Sequence, residues 1–168
     1  FFAMAPDFLG VMLDAKPNAG HRAIAELECA HGKEVHVCTQ NIDTLHQDAG
    51  SSNVYPIHGT LKTSSCTVCG DQVRTRELDE CLSGGRIPFH RGCGGIYKPD
   101  IVFFGEMLPF EQVEDSINAI RRVDLLVVAG TSLEVYPAAA LPAERRYGCR
   151  VAIINQTETY LDSLAHLV

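Results

Sequence analysis

Residues 35–46, VHVCTQNIDTLH, decide the fold prediction. The apolar run at residues 35–38 predicts a short buried strand, and the amides and carboxylate behind it predict a polar loop at the end of that strand. Open parallel sheets form ligand sites in this way, just past the carboxyl ends of their strands. Such groups can hold a polar cofactor, and a histidine such as His58, after the next apolar run, can take a proton at neutral pH. Taken alone, His58 is more typical of a structural residue.

Strand and helix patterns alternate along most of the chain. Apolar spacing predicts a helix over residues 2–13, another from Pro17 to about Gly32, and a third over residues 109–122. Apolar runs predict strands at residues 54–57, 101–104, 125–129 and 151–154, and the run at 125–129 is typical of a strand buried on both faces. With a helix expected at residues 137–147, the order of strand, polar turn, helix and strand predicts an α/β fold with a parallel sheet.

Composition narrows the class of function. The 168 residues carry a formal net charge of -7, which argues against direct binding of nucleic acid through its phosphates. The longest apolar run is strand-sized, so no interaction with a membrane is expected. The seven cysteines, an odd number that includes one C-x-x-C pair, favour reduced thiols and a metal over disulfides, and we therefore expect a cytoplasmic protein. The sequence predicts no particular oligomeric state.

Residues 61–95 lack core-like apolar runs, so this segment needs a cross-link, such as a disulfide or a bound metal ion, to stay folded. Cys66 and Cys69 form a C-x-x-C turn, which presents two thiolates to a tetrahedral zinc ion. The second half of the site is Cys93 with either His90, in an H-x-x-C pair at the spacing of a zinc ribbon, or Cys81. We favour His90, because Cys81 lies in a predicted helix, residues 75–82, with no partner beside it. A third alternative is that no metal binds, which we disfavour because the segment has no other evident source of order. Four protein ligands make a zinc ion structural.

Three longer motifs carry a resemblance to a known family. TQNIDTLH at residues 39–46 with HG at 58–59, KPDIVFFGE at 98–106 and GTSLEVYP at 130–137 resemble the sirtuins, the NAD-dependent protein-lysine deacylases. The resemblance implies a Rossmann-like NAD-binding domain formed by residues 1–60 and 97–168, with residues 61–96 inserted as a zinc-ribbon module. It also implies NAD as the cofactor, a structural zinc ion, and an acylated-lysine protein or peptide as the partner.

The resemblance assigns roles to single residues. It implies that His58 is the general base, which takes a proton from a ribose hydroxyl, and that Asn41 assists by orienting the ribose or a water. The residues implied in NAD binding are Gln40, Asn41, Ile42, Asp43, His58, Gly130, Thr131, Ser132 and Asn155. The residues implied in binding the acyl-lysine peptide as an added strand are Val102, Phe104, Gly105, Glu106, Glu134 and Val135. The implied metal ligands are Cys66, Cys69, His90 and Cys93, with His90 where the family normally has a cysteine.

Some of these residues also have simpler interpretations. Asp43 can act as the N-cap of a short helix through Leu45, and Asn155 can be a turn residue. Phe103, between the implied peptide-binding residues, is better interpreted as ordinary core. His46 matches the family pattern, and we interpret it as a supporting residue.

The chain departs from the family at its start. Sirtuins begin with a glycine-rich turn that clamps the NAD pyrophosphate, and neither that turn nor the first strand of the dinucleotide fold is found in this sequence. We therefore expect the 168 residues alone to be inactive and the parent protein to be active. The predicted fold is α/β, a Rossmann-like parallel sheet incomplete at its N-terminus with a small inserted zinc-binding module.

The leading functional prediction is NAD-dependent removal of acetyl or other neutral acyl groups from protein lysine, giving nicotinamide and O-acyl-ADP-ribose. Neutral groups are favoured because the Tyr-x-x-Arg pattern of family members that prefer acidic acyl groups is missing before Pro17. By reaction class, such a deacetylase is a transferase or a hydrolase. One alternative is protein mono-ADP-ribosyl transfer. Another, from a different class of protein, is an inactive zinc module that binds acyl-lysine.

Overall fold

The computed structural model describes residue 2 and residues 5–168. The chain forms two compact units, Phe1–Pro109 and Phe110–Val168, and each is described by itself. Within the described residues, none of the helices combines the length and the apolar character that crossing a bilayer requires.

The first unit begins with two helices, α1 at Ala5–Asp14 and α2 at Ala19–Cys29. The predicted start of α2 at Pro17 is two residues early, because Asn18 is the cap. The Asn18 side-chain oxygen accepts the N–H groups of Gly20 and His21, and the Asn18 N–H donates to Nδ1 of His21 at 3.3 Å. This reciprocal pair of bonds is a capping box with histidine in the position usually taken by Glu or Gln. The helix also ends before the predicted Gly32.

A parallel strand pair follows, made of β1 at His36–Thr39 and β2 at Asn53–Pro56, with the short helix α3 at Leu45–Ala49 between them. The register runs from His36 opposite Asn53 to Thr39 opposite Pro56. Both strands lie within one residue of their predicted positions. The parallel pairing is what the polar loop after residues 35–38 predicts, and the α/β class with parallel strands is confirmed.

A second sheet of the first unit is antiparallel, with strand order β4-β3-β5. Its strands are β3 at Gly59–Cys66, β4 at Gln72–Arg74 and β5 at Tyr97–Ile101. The predicted strand at residues 101–104 is wrong, because the chain leaves the sheet after Ile101. The Glu106 N–H donates to the Phe103 carbonyl at 3.0 Å and closes a turn there. The predicted helix at 75–82 is confirmed as a 3-10 turn, Thr75–Leu78, followed by α4 at Asp79–Leu82.

The core of the first unit includes residues from the predicted zinc module. Leu61 and Leu82 are buried in one cluster with Leu9 of α1 and Ile101 of β5, and Phe103 packs against this cluster as predicted. Complete burial of a leucine side chain stabilises a fold by roughly 1.5–3 kcal/mol. The segment is therefore held by buried leucines as well as by its cluster of candidate metal ligands. The sequence did not predict this burial, because the segment contains no apolar run.

The second unit contains α5 at Phe110–Ile120 and a parallel pair, β6 at Leu125–Ala129 and β7 at Arg150–Ile154. The predicted helix at 137–147 is instead a 3-10 helix at Ala138–Glu144, and it contains Pro142, which has no N–H to complete an α-helical turn. Its core cluster is formed by Val128, Leu133, Ala139, Val151, Ile153 and Leu161.

The prediction that β6 is buried on both faces is wrong for the described residues. Val128 is buried, but Leu125 and Val127 are 53% and 49% exposed. Within the second unit, the core cluster packs on one face of the β6–β7 pair, the side that carries Val128, Val151 and Ile153.

Candidate functional site

His58 lies directly between β2 and β3, and its ring is oriented by the loop after β1. Nδ1 of His58 is 3.1 Å from the main-chain carbonyl of Gln40. A carbonyl oxygen can only accept a hydrogen bond, so Nδ1 must be the donor. In the neutral ring this leaves the Nε2 lone pair without a proton. The local structure therefore fixes the tautomer that a proton-accepting histidine needs.

The main chain of His58 is held from the other side by β5 and the residue after it. The His58 carbonyl accepts the N–H of Val102 at 2.9 Å, and Gly59 pairs with Ile101. Gly59 has φ of +78°, and a Cβ there would lie 2.1 Å from the Asp100 carbonyl oxygen. Only glycine permits this close approach of β3 to β5, so the HG dipeptide is a structural requirement of the site as well as a motif.

The loop between β1 and α3 contains the four adjacent residues predicted to bind NAD, residues 40–43. Its main chain is held at several points: the Asn41 N–H donates to Oγ1 of Thr39 at 3.1 Å, and the Leu61 N–H donates to the Ile42 carbonyl at 2.7 Å. The Asp43 carboxylate accepts the N–H of Leu45, the first residue of α3, at 2.9 Å. Asp43 thus bonds to the start of α3, but the prediction that it is the N-cap is wrong, because Thr44 occupies the cap position.

His46, predicted as a supporting residue, packs against α2. Its ring centroid is 4.6 Å from that of His21, and its buried Nδ1 has no hydrogen-bond partner among the residues that the structure describes. Burial is the main cause that lowers the pKa of His46, the nearby His21 adds to it, and Asp43 opposes it. The neutral form of His46 is therefore favoured. No motif or spacing predicts the contact with His21, which lies 25 positions earlier.

The predicted peptide-binding residues of the first unit lie in the turn after β5. Val102 is partly buried, Phe104 is fully exposed at the tip, and Gly105 adopts φ of +88°. The Glu106 carboxylate accepts the Phe103 N–H at 3.0 Å and Nζ of Lys98 at 2.8 Å. The role of Lys98 was not predicted, because a strand residue and a loop residue eight positions apart share no periodic signal.

In the second unit, the predicted NAD-binding residues come together at the carboxyl ends of β6 and β7. Nδ2 of Asn155 donates to the carbonyls of Thr131 and Thr157, both at 3.0 Å. The Gly130 N–H donates to the Ile154 carbonyl at 3.0 Å, and Gly130 has φ of +61°. Ser132 is exposed in the same loop, and the predicted peptide-binding residues Glu134 and Val135 follow it, also exposed.

The cysteine and histidine residues favoured as metal ligands come together at one end of β3. One ligand atom from each of Cys66, Cys69, His90 and Cys93 lies within 4.8 Å of the others. Sγ of Cys93 is 3.5 Å from each of the other two sulfurs, and Nδ1 of His90 is 3.1 Å from Sγ of Cys93. The Cys81 thiol instead donates to the carbonyl of Arg86 at 3.5 Å.

These distances fit zinc. A tetrahedral ion with Zn–S bonds near 2.3 Å separates its sulfur ligands by about 3.8 Å, close to the spacing of the thiols here. The N–H groups of Cys69 and Val68 point at Cys66 and lower the pKa of its thiol to about 7, which favours the thiolate that a metal binds. A Cβ at Gly95 would lie 2.5 Å from Sγ of Cys66, so the glycine after the Cys93-Gly94 pair leaves room for the cluster.

Two residues outside the four candidate metal ligands, Asp71 and Tyr97, lie beside His90. Nε2 of His90 is 3.7 Å from the Asp71 carboxylate, and Tyr97 donates its hydroxyl to the same carboxylate at 2.5 Å. This hydrogen bond is the main cause that raises the pKa of Tyr97 to about 12. Asp71 thus lies near the ring nitrogen of His90 that does not face the sulfurs, where metal-binding histidines usually have a carboxylate. Asp71 and Tyr97 were not predicted as part of the site, because neither belongs to the C-x-x-C or H-x-x-C spacing.

Comparison with known proteins identifies the family. Residues 1–137 match the model of the Sir2 family. The chain is 42% identical over 156 residues to NAD-dependent protein deacetylase 1 of Pyrobaculum aerophilum, covering 92% of this chain and 61% of that protein. It is 44% identical over 161 residues to the NAD-dependent protein deacetylase of Clostridium acetobutylicum, covering 94% of this chain and 63% of that protein. The chain belongs to the Sir2 family, as its motifs predicted.

Solved structures agree in fold. A structure of Sir2 with a p53 peptide and NAD+ superposes with a TM-score of 0.93 at 39% identity, over 99% of this chain and 70% of that one. A structure of Sir2Tm bound to a propionylated peptide gives the same TM-score, identity and coverage. The predicted Rossmann-like α/β class is therefore confirmed. The chain spans less than two thirds of the length of the two deacetylases named above.

Proposed function

We propose that the protein is an NAD-dependent protein-lysine deacylase, which removes acetyl or other neutral acyl groups and yields nicotinamide and O-acyl-ADP-ribose. The observation that carries the proposal is the hydrogen bond from Nδ1 of His58 to the Gln40 carbonyl, which leaves Nε2 able to accept a proton. Membership of the Sir2 family and the deacetylase relatives support it.

NAD, when bound, supplies the ribose that receives the acyl group. We assign His58 the role of general base toward a ribose hydroxyl and Asn41 that of orienting the ribose or a water. Gln40, Ile42 and Asp43 complete the nicotinamide side of the site, and their loop is held in place by main-chain bonds.

The remaining binding roles stay as predicted from the sequence. The residues assigned to the phosphates and the adenosine ribose are Gly130, Thr131, Ser132 and Asn155. The residues assigned to the acyl-lysine peptide are Val102, Phe104, Gly105, Glu106, Glu134 and Val135. Main-chain N–H and carbonyl groups at the ends of parallel strands are suited to the first role, and an extended peptide added as a strand suits the second.

We infer that residues 61–96 act as an inserted module whose zinc ion is structural. Four protein ligands leave no open position for chemistry. We also propose a cytoplasmic location, since three cysteines and His90 of the module form a metal cluster, which is typical of thiols in a reducing compartment.

The test measures nicotinamide release from NAD by the full-length protein, with and without an acetylated lysine peptide. Release that the peptide stimulates, together with deacetylated peptide as product, is expected. Labelling of protein by ADP-ribose without peptide would identify a mono-ADP-ribosyltransferase instead. Peptide binding with no release under either condition would identify an inactive acyl-lysine-binding module and refute the proposal.

A further inference from the structure

The turn after β5 is exposed and tightly folded. Residues 102–106 leave the sheet, Phe104 stands fully exposed at the tip, and the Glu106 N–H returns to the Phe103 carbonyl at 3.0 Å. The positive φ of Gly105 permits the reversal. Phe103 packs against the core of the first unit, but residues 104–106 are exposed, so this part of the turn needs contacts with its own side chains to keep one conformation.

Those contacts come from Lys98 and Glu106. The Glu106 carboxylate accepts both Nζ of Lys98, at 2.8 Å, and the Phe103 N–H, at 3.0 Å. Nζ of Lys98 also donates to the Ile101 carbonyl at 3.3 Å and lies 4.8 Å from the centre of the Phe103 ring. We name this group of contacts the Lys98–Glu106 clasp. It joins strand β5 to the far side of the turn through one ammonium and one carboxylate.

The clasp differs from an ordinary surface ion pair in what it holds. The side chains of Lys98 and Glu106 are 35% and 42% exposed, and isolated pairs with such exposure contribute little to the stability of a fold. Here, however, the same carboxylate oxygen accepts a main-chain N–H of the turn. Loss of the pair therefore changes the conformation of the turn more than the stability of the protein.

The turn is also connected to the proposed base. The N–H of Val102, the first residue after β5, donates to the carbonyl of His58. The clasp thus holds the C-terminal side of a segment whose N-terminal side is bonded to His58. A substrate strand that pairs with this segment requires its N–H and carbonyl groups to be fixed in advance, because an ordered edge lowers the entropy that binding loses.

We propose that Lys98 and Glu106 are positioning residues for the acyl-lysine peptide, acting by fixing the main chain of residues 102–105 without contacting the reacting atoms. This inference rests on the proposed deacylase function. It gives Glu106 an internal role in place of the direct substrate contact implied by the family resemblance. Hydrogen bonds to charged groups are strong enough that loss of the clasp is expected to raise KM for the peptide about tenfold.

The variants are made in the full-length protein. Lys98→Met and Glu106→Met each remove one partner of the clasp with little change in side-chain size, and Lys98→Arg keeps the positive charge at position 98. Arg76→Met is the matched control, because Arg76 forms an exposed ion pair with Asp14 at 2.8 Å that also joins distant segments but holds no part of the turn. Steady-state KM for an acetylated peptide and for NAD is measured for each variant.

The rate of chymotrypsin cleavage after Phe104 provides a second measurement, which does not depend on deacylase activity of the protein. The expected result is faster cleavage and a peptide KM raised about tenfold in Lys98→Met and Glu106→Met, with KM for NAD within about twofold of wild type. Lys98→Arg is expected to keep the wild-type cleavage rate and the wild-type KM for the peptide. Arg76→Met is expected to change neither quantity.

The outcomes separate this inference from the proposed function. Turnover by all variants with unchanged peptide KM and unchanged cleavage overturns the positioning role alone. An equal effect in Arg76→Met also overturns it, since the change would then reflect general destabilisation. A wild-type protein without peptide-stimulated turnover overturns the deacylase function, and with it the peptide role of the clasp.

Discussion

The N–H of Val102 donates a 2.9 Å hydrogen bond to the carbonyl of His58. His58 is the proposed base, and Val102 opens the segment proposed to bind the substrate strand. The bond is possible because Gly59 brings β3 within contact of β5. The position of the base is therefore set by main-chain pairing between two strands as well as by the loop that orients its ring.

Gly59→Ala is expected to disrupt this pairing. A Cβ at position 59 would lie 2.1 Å from the Asp100 carbonyl oxygen, in addition to the strain of φ at +78°. We expect a loss of about 3 kcal/mol or more in the free energy of unfolding, measured by urea denaturation of the full-length protein. Gly70→Ala is the control, since Gly70 has φ of +74° but nothing within 4 Å of its Cβ position, and it should cost about 1 kcal/mol. Equal losses in the two variants would show that the close approach is unimportant.

The metal site is expected to hold one zinc ion through three thiolates and one imidazole. His90→Ala should release zinc at least 10-fold more readily, His90→Cys should retain it, and Cys81→Ser should behave as wild type. Zinc content after dialysis against a chelator measures each effect. Loss of zinc in Cys81→Ser with retention in His90→Ala would reverse the assignment of the fourth ligand.

His46 is expected to make stability depend on pH. Its pKa is lowered from the usual 6.5, so the unfolded chain binds the proton more readily than the folded one. The contribution of neutral His46 to the free energy of unfolding is complete above pH 6.5. It is lost as the pH falls toward the pKa that His46 has in the folded protein. Melting temperature measured against pH should therefore decline less steeply in His46→Gln. The exposed His31→Gln serves as control, and a slope unchanged by the His46 substitution would contradict the prediction.

Asn155→Ala is expected to weaken NAD binding. The side chain donates to two carbonyls, of Thr131 and Thr157, and so holds the loop after β6 against the end of β7. Loss of these two bonds should raise KM for NAD about tenfold and leave KM for the peptide within about twofold. Asn118→Ala, on the exposed side of α5, should change neither constant. A rise in KM for the peptide with no change in KM for NAD would contradict the assignment of Asn155 to the cofactor site.

The parts of this protein that the sequence predicted well depend on local chemistry. The cluster of Cys66, Cys69, His90 and Cys93 follows from side-chain type and spacing, and β6 from five apolar residues in a row at Leu125–Ala129. The loop at residues 40–43 follows from polar residues at a strand end.

The parts it missed depend on contacts between distant residues or on one special residue. Strand β5 ends at Ile101 because the clasp and the Glu106 turn redirect a run that otherwise favours a strand. The helix predicted over residues 137–147 shortens to a 3-10 turn because Pro142 lies inside it. Burial of Leu61 and Leu82 against α1 is visible only once the chain is folded.

The central claim is that His58 acts as the proton acceptor in a peptide-dependent reaction of NAD. The most direct test measures deacetylated peptide formed by full-length wild type, His58→Ala and the exposed control His31→Ala, each at saturating NAD and acetylated peptide. We predict that His58→Ala slows product formation by about 10²–10⁴-fold while His31→Ala stays within about twofold of wild type. Product formation by His58→Ala at the wild-type rate would contradict the account.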